Sequence, residues 1–156
     1  FPEMDGIVMS VGAAGGSEAT IAAIEQSGAV GKVKLSLFDV PSNSTEAFEK
    51  GILCGVANGM HFDPMAAFIL LINKINGTPL SETAVKLDTD YIYITSYDED
   101  VAYYKYIDSK EEGVYAFSTE EIQQMYRFYN PDFSLEDLQK VAASWNMEDL
   151  LDKLVK

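Results

Sequence analysis

The amino-acid sequence predicts an α/β fold: an open, mainly parallel sheet with flanking helices, followed by a helical C-terminal appendage. Three observations lead there. Short apolar runs alternate with helical patterns over the first two thirds of the chain. Glycines and an Asn-Gly pair punctuate the segments. The last third carries capped amphipathic segments and no strand pattern.

The first run, residues 6–11 (GIVMSV), is apolar and bounded by glycine, so it reads as a buried strand. A helix follows over 17–26. Ser17 can cap it, Ile21 and Ile24 share a face, and Gly28 and Gly31 end it. The second strand, 33–38 (VKLSLF), sets Val33, Leu35 and Leu37 on one face and leaves Asp39 at its carboxyl end. After the loop PSNST, a short helix over 45–50 is capped by Ser44 or Thr45 and stopped by Gly51. Residues 52–57 make a third strand, with Asn58-Gly59 at its end.

Asp63-Pro64 is a helix start, an N-cap with proline at the first helical position. The helix runs over 64–75 and closes at Asn76-Gly77. Phe68, Ile69, Leu70, Leu71 and Ile72 put apolar groups on every side, which predicts burial nearly all round. A loop over 78–90 leads to a fourth strand, 91–95 (YIYIT). Beyond it, Ser118 and Glu121 form a capping box that opens a helix through Tyr129, broken by Asn130-Pro131. Ser134 caps a helix carrying Leu138, Val141, Ala142 and Trp145. Asn146 starts another with Leu150, Leu151 and Leu154. The tyrosines and Trp145 fall at helical spacing, which favours packing over stacking on a sugar ring. The acidic runs 98–100 and 111–112 read as solvated surface. Residues 1–106 thus form the α/β part and 107–156 a helical tail.

Composition narrows the function. The chain has 156 residues and 47% hydrophobic content, enough for one domain with a core. Its formal net charge of -14 repels phosphate backbones and anionic membranes, so no nucleic-acid partner is expected. Cys54, the only cysteine, reads as a small buried hydrophobe. His61, the only histidine, removes multi-histidine metal sites and leaves any Ser-His-Asp triad dependent on that one residue. Ser10 is flanked by Val8 and Gly12, so half of the G-x-S-x-G nucleophile elbow is absent. No calcium-loop pattern occurs.

The glycine loop from Gly12 to Gly16 invites a phosphate. A dinucleotide fingerprint fails at Ala14 and Ser17, and no Gly-Lys-Ser/Thr follows, so no cofactor is expected. The small residues fit close helix packing on the sheet, or approach to a small neutral ligand. Ser10 with Gly12, then Asp39, then Asn58 stand at the ends of three successive strands. Open α/β sheets bind ligands at that edge.

The stretch "MDGIVMSV…EATIAAIEQSGAVGKVKLSLFDV…TEAFEKGILCGVANG…DPMAAFILLINKINGTP" resembles the C-terminal part of type I periplasmic sugar-binding proteins, over about residues 3–96. These are substrate receptors of ABC importers, related in fold to the ligand domain of lac-repressor-type regulators. The resemblance rests on the succession strand, helix, "FD", "G-I-L" and a long helix ending in "NG". It implies a non-catalytic, extracytoplasmic solute-binding lipoprotein that closes two lobes on a sugar-like ligand and hands it to the importer's membrane subunits. It implies an N-terminal lobe upstream, a chain crossing near Asn58 and a return along strand 91–95. The carry-over assigns sugar hydroxyl contacts to Asp39 and ligand contact to Asn58. Where the family has an Asn-Asp pair after the first strand, this chain has Val11-Gly12, with Ser10, Ser17 or backbone amides as substitutes. Two other readings remain open: the effector-binding domain of a transcription regulator, and a nucleotide-dependent α/β enzyme using the glycine loop.

Overall fold

The computed structural model describes residues 3–10 and 16–155. Four strands form one sheet in the order β1 (Gly6–Met9), β2 (Lys34–Phe38), β3 (Leu53–Asn58), β4 (Ile92–Ile94). The first three are parallel, and β4 runs antiparallel on β3. The fold is therefore α/β with a mostly parallel open sheet, as the alternating pattern predicts. Helix α1 (Gly16–Gln26) joins β1 to β2, and α2 (Ser44–Glu49) joins β2 to β3. Right-handed crossovers that advance in one direction put both helices on the same face. Their buried residues, Ile21, Ile24, Ala47 and Phe48, share one core with Leu35, Leu37, Val56, Ile92 and Ile94 from the strands.

Among the described residues, the other face of the sheet is uncovered. Side chains alternate along a strand, so the partners of those inward residues point out. Val8 (83% exposed), Ser36, Phe38, Ala57 and Tyr93 line a shallow cleft of about 220 Å³ there. Cys54 departs from expectation. It sits where the β2–β3 register shifts between Leu35 and Ser36, and it is exposed, with its thiol donating to the Leu35 carbonyl at 3.4 Å. A bulge adds one residue to the pleat and displaces that side chain from the core.

Helix α3 (Phe62–Ile75) begins one residue before the expected N-cap Asp63, with His61 at the cap position, and ends at Asn76-Gly77 as read. Its expected all-round burial is not found. Phe62, Ala66, Ile69 and Asn73 are buried, while Phe68 (61%), Leu71 and Ile75 (69%) are exposed. A short helix, α4 (Tyr97–Ala102), then runs straight into a π-helical turn, Tyr103–Ile107. The tail continues with α5 (Thr119–Gln124), shorter than the expected helix through Tyr129, then α6 (Leu135–Ala143) and α7 (Met147–Leu154). The caps are those read from the sequence. Ser118 and Ser134 form capping boxes with Glu121 and Asp137, and Asn146 accepts from the Asp149 N–H. Each such cap contributes about 1 kcal/mol.

The tail folds back onto the sheet. Trp145, Met147 and Leu150 join the core that holds the strands. Leu138, Phe133 and Met125 form a second cluster on Ile69 of α3. No helix among the described residues is long and apolar enough to cross a membrane.

The contact that seats Trp145 is tight. Its indole N–H donates to the Gly59 carbonyl at 2.7 Å. Gly59 has φ 102°, and a Cβ there would stand 2.8 Å from the indole nitrogen and 3.2 Å from the Ile92 backbone nitrogen. Gly59→Ala is expected to lower stability by about 2–4 kcal/mol, through strained backbone together with displaced packing. A urea melt followed by circular dichroism checks this, and an unshifted midpoint would show that the close approach is not needed.

Candidate functional site at the carboxyl ends of the parallel strands

A parallel sheet collects the ends of its strands along one edge, because each strand leaves the sheet on the same side. Here Ser10 follows β1, Asp39 follows β2, and Asn58 closes β3. The register Met9↔Leu37↔Val56 places these ends side by side. Gly12 lies outside the described residues. Ser10 is exposed and borders the cleft on the open face. Ser17 is the second residue of α1 rather than its cap. It is fully buried, with a hydroxyl that has no partner among the described residues.

Asp39 carries φ 63°, alone among the described non-glycine residues in having positive φ. Aspartate tolerates this left-handed conformation better than most residues, at a cost of about 1–2 kcal/mol. The turn holds because the Asp39 N–H donates to the Ala57 carbonyl at 2.9 Å, extending the β2–β3 ladder by one bond. The chain then reverses through Pro41 into α2 and leaves the half-buried Asp39 at the strand end.

Asn58 is committed to the protein. Its Nδ2 donates to the Tyr103 hydroxyl and its Oδ1 accepts from the Gly59 N–H, both at 2.7 Å. Tyr103 opens the π-helical turn and is fully buried. Burial raises its phenol pKa first, and the nearby carboxylates Asp108, Asp100 and Asp39 push it the same way. The ring therefore stays a neutral hydroxyl beside Asp39 and Asn58. Tyr103 belongs to a tyrosine-rich tract that reads as plain packing, and nothing in its sequence spacing marks it as the partner of Asn58.

A second layer supports the β2–α2 turn. The Tyr104 hydroxyl donates to the Pro41 carbonyl at 3.1 Å, and Thr45 Oγ1 donates to Asp100 Oδ2 at 2.5 Å. Asp100 is fully buried, which corrects the expectation that the run 98–100 is all solvated surface. Its turn of α4 packs on α2, so a residue in an acidic run faces inward. Asp100 Oδ1 and Asn43 Oδ1 are buried without partners among the described residues.

The structure does not bring Ser10 and His61 together. β2 separates the strand before Ser10 from the strand before His61. His61 instead packs edge-on against Trp145, with ring centres 5.1 Å apart. Burial lowers its pKa, opposed by the charge of Asp108. Among the described residues, no group of three or more His, Cys, Asp or Glu side chains is arranged to hold a metal ion.

What this edge offers is hydrogen bonding, from a half-buried carboxylate at Asp39 and an exposed hydroxyl at Ser10, with the Tyr103 phenol buried behind them. Compared with known proteins, the chain matches no family model and no curated sequence.

Two outcomes follow from this geometry. Asp39→Gly is expected to match or exceed the parent in stability, by up to about 1 kcal/mol, whereas Asp39→Val loses about 1–2 kcal/mol. Equal urea midpoints for the two variants would remove the left-handed turn. His61 is expected to titrate below its ordinary 6.5, as followed by the ring proton shifts of the sole histidine. Between the folded and unfolded pKa values the unfolded chain binds more protons, so this contribution to stability is present above about pH 6.5 and is lost on acidification. A midpoint at or above 6.5 would show that packing against Trp145 does not disfavour the charged ring.

Proposed function

We propose that this chain is the sheet-bearing part of a non-catalytic solute receptor, which takes a sugar or similar polyhydroxylated ligand at the carboxyl edge of β1–β3. The observation that carries this reading is the alignment of Ser10, Asp39 and Asn58 on three adjacent parallel strands. Asp39 is held in a conformation that costs energy. Strain of this kind is retained where the surroundings over-determine it, and it clusters at ligand sites. The Asp39 carboxylate and the exposed Ser10 hydroxyl can pair with ligand hydroxyls: the carboxylate accepts from them, and the serine both donates and accepts.

The sequence resemblance supplies the rest of the proposal. The ligand closes a second lobe over this edge, the closed form is what an ABC importer reads, and the receptor works outside the cytoplasm. Binding then drives closure by population shift, because the ligand touches both lobes only when they are shut. The acidic surroundings of Tyr103 support a hydroxyl-rich ligand over a nucleotide, since Asp39, Asp100 and Asp108 would repel phosphate.

Calorimetric titration with a panel of pentoses, hexoses and polyols tests the proposal, with adenine nucleotides as the comparison. A sugar is expected to bind, and Asp39→Ala is expected to weaken that sugar by about 1–3 kcal/mol through an unpaired ligand hydroxyl. Binding of a nucleotide alone, or unchanged sugar affinity in the variant, would overturn it.

A further inference from the structure

Helix α3 carries an apolar seam that nothing among the described residues covers. Pro64, Phe68, Leu71 and Ile75 are all exposed, Phe68 and Ile75 over more than half of their surface. They follow one another at spacings of four, three and four residues. That alternation keeps side chains in one line on a helix that packs against another at a shallow angle. The face holds both a knob and a hollow. Phe68 is the knob. One turn further along, Leu71 borders a hollow of about 180 Å³ whose lining includes Leu70, Lys74, Leu80 and Val85. An apolar cavity of about 150 Å³ holds a benzene ring, so this hollow has room for a phenylalanine side chain. The helix carries two charges, Asp63 in its first turn and Lys74 in its last. Both are exposed, and neither takes part in the ion pairs seen among the described residues.

We propose that a second copy of this chain docks on this seam, α3 against α3, antiparallel about a two-fold axis. The face is complementary to itself. Reversing the helix about its midpoint, between Ile69 and Leu70, exchanges Phe68 with Leu71 and Pro64 with Ile75. Each copy's Phe68 then meets the other's Leu71 at the border of the hollow, and the interface closes by symmetry. An unrelated partner helix would require no such match. Charge selects the direction. A parallel pair sets Asp63 on Asp63 and Lys74 on Lys74, like against like. The antiparallel pair brings each Asp63 to the end of the seam where the other copy's Lys74 stands, and gives both unpaired charges a partner. The net charge of -14 opposes association of two copies over the whole surface. At physiological ionic strength the screening length of about 8 Å confines that repulsion to close groups. A single helix pair is also small among specific interfaces, so a Kd on the order of 100 μM is expected.

Sedimentation velocity of the full chain tests this, over concentrations from about 10 μM to about 1 mM in about 0.15 M salt. A monomer–dimer equilibrium is expected. Phe68→Glu, at an exposed position, is expected to keep the melting curve and weaken the dimer at least about thirtyfold, because it sets a charge against the hollow. Lys74→Glu is expected to weaken it about fivefold, since both symmetric ion pairs turn into like charges. Adding Asp63→Lys to that variant exchanges the two charges, and is expected to bring the dimer back to within about twofold of the parent. Monomer throughout the range, a dimer unchanged by Phe68→Glu, or no recovery in the charge exchange would each overturn the proposal. The seam includes none of Ser10, Asp39 and Asn58, so its failure would leave the strand-end reading untouched.

Discussion

The structure turns on one hydrogen bond, from the Trp145 indole to the Gly59 carbonyl. It joins residues 86 apart in sequence, across the exit of the last parallel strand. Around it, Phe62 and Phe117 stack on the indole, and His61 meets it edge-on. These rings come from three places: His61 and Phe62 from the cap and first turn of α3, Phe117 from the loop before α5, and Trp145 from the turn after α6. Beside this contact, α6 and α7 are held by the cluster around Leu138, by Ala142, Met147 and Leu150 in the main core, and by Gln139 and Lys153 hydrogen bonds to Asp88 and Ala116. Together these give the tail and the sheet one shared core. Gly59 is required because no side chain fits between its Cα and the indole. The same seating bears on the candidate site, because it places Asn58 one residue before the anchored glycine.

The other constraint is what the core leaves uncovered. Parallel sheets are ordinarily buried on both faces. Here α1, α2, the π-helical turn and α7 cover one face, while Val8, Phe38 and Tyr93 remain on the other. Helix α3 repeats the imbalance. Its Ile69 side is packed by the tail, and its Phe68–Leu71–Ile75 stripe is exposed. The sequence of α3 is apolar all round, so pattern alone predicts more neighbours than the described residues provide. Phe38 finds one partner on the open face, meeting Tyr91 edge-on at 6.0 Å.

Much of the fold is legible because period and punctuation agree. The four strands, the three tail caps and the closing turn at Asn76-Gly77 all follow from local chemistry. The misses have a common origin in tertiary contact. Cys54 is exposed because a register shift, which no local pattern encodes, displaces it from the pleat. Asp100 is buried because α4 packs on α2 and Thr45 meets it, two elements separated by half the domain. Tyr103 is indistinguishable in sequence from its neighbours, yet it alone receives the Asn58 amide. Of the strand-end residues, Ser10, Asp39 and Asn58 could be placed at an edge by counting strands. That Asn58 would be spent on internal bonds, and that Asp39 would adopt φ 63°, required the coordinates.

These two results change what the edge can recognise. With both polar ends of its amide engaged, Asn58 holds Tyr103 and the Gly59 N–H, and on the proposed reading direct ligand contact falls to Asp39 and Ser10. Asp39, Asp100 and Asp108 gather near the Tyr103 phenol, and all three raise its pKa. Hydroxyl groups supply donors without adding charge, so on the proposed reading a polyol suits an edge whose exposed acceptor is a carboxylate, whereas phosphates and carboxylates would bring like charge against it.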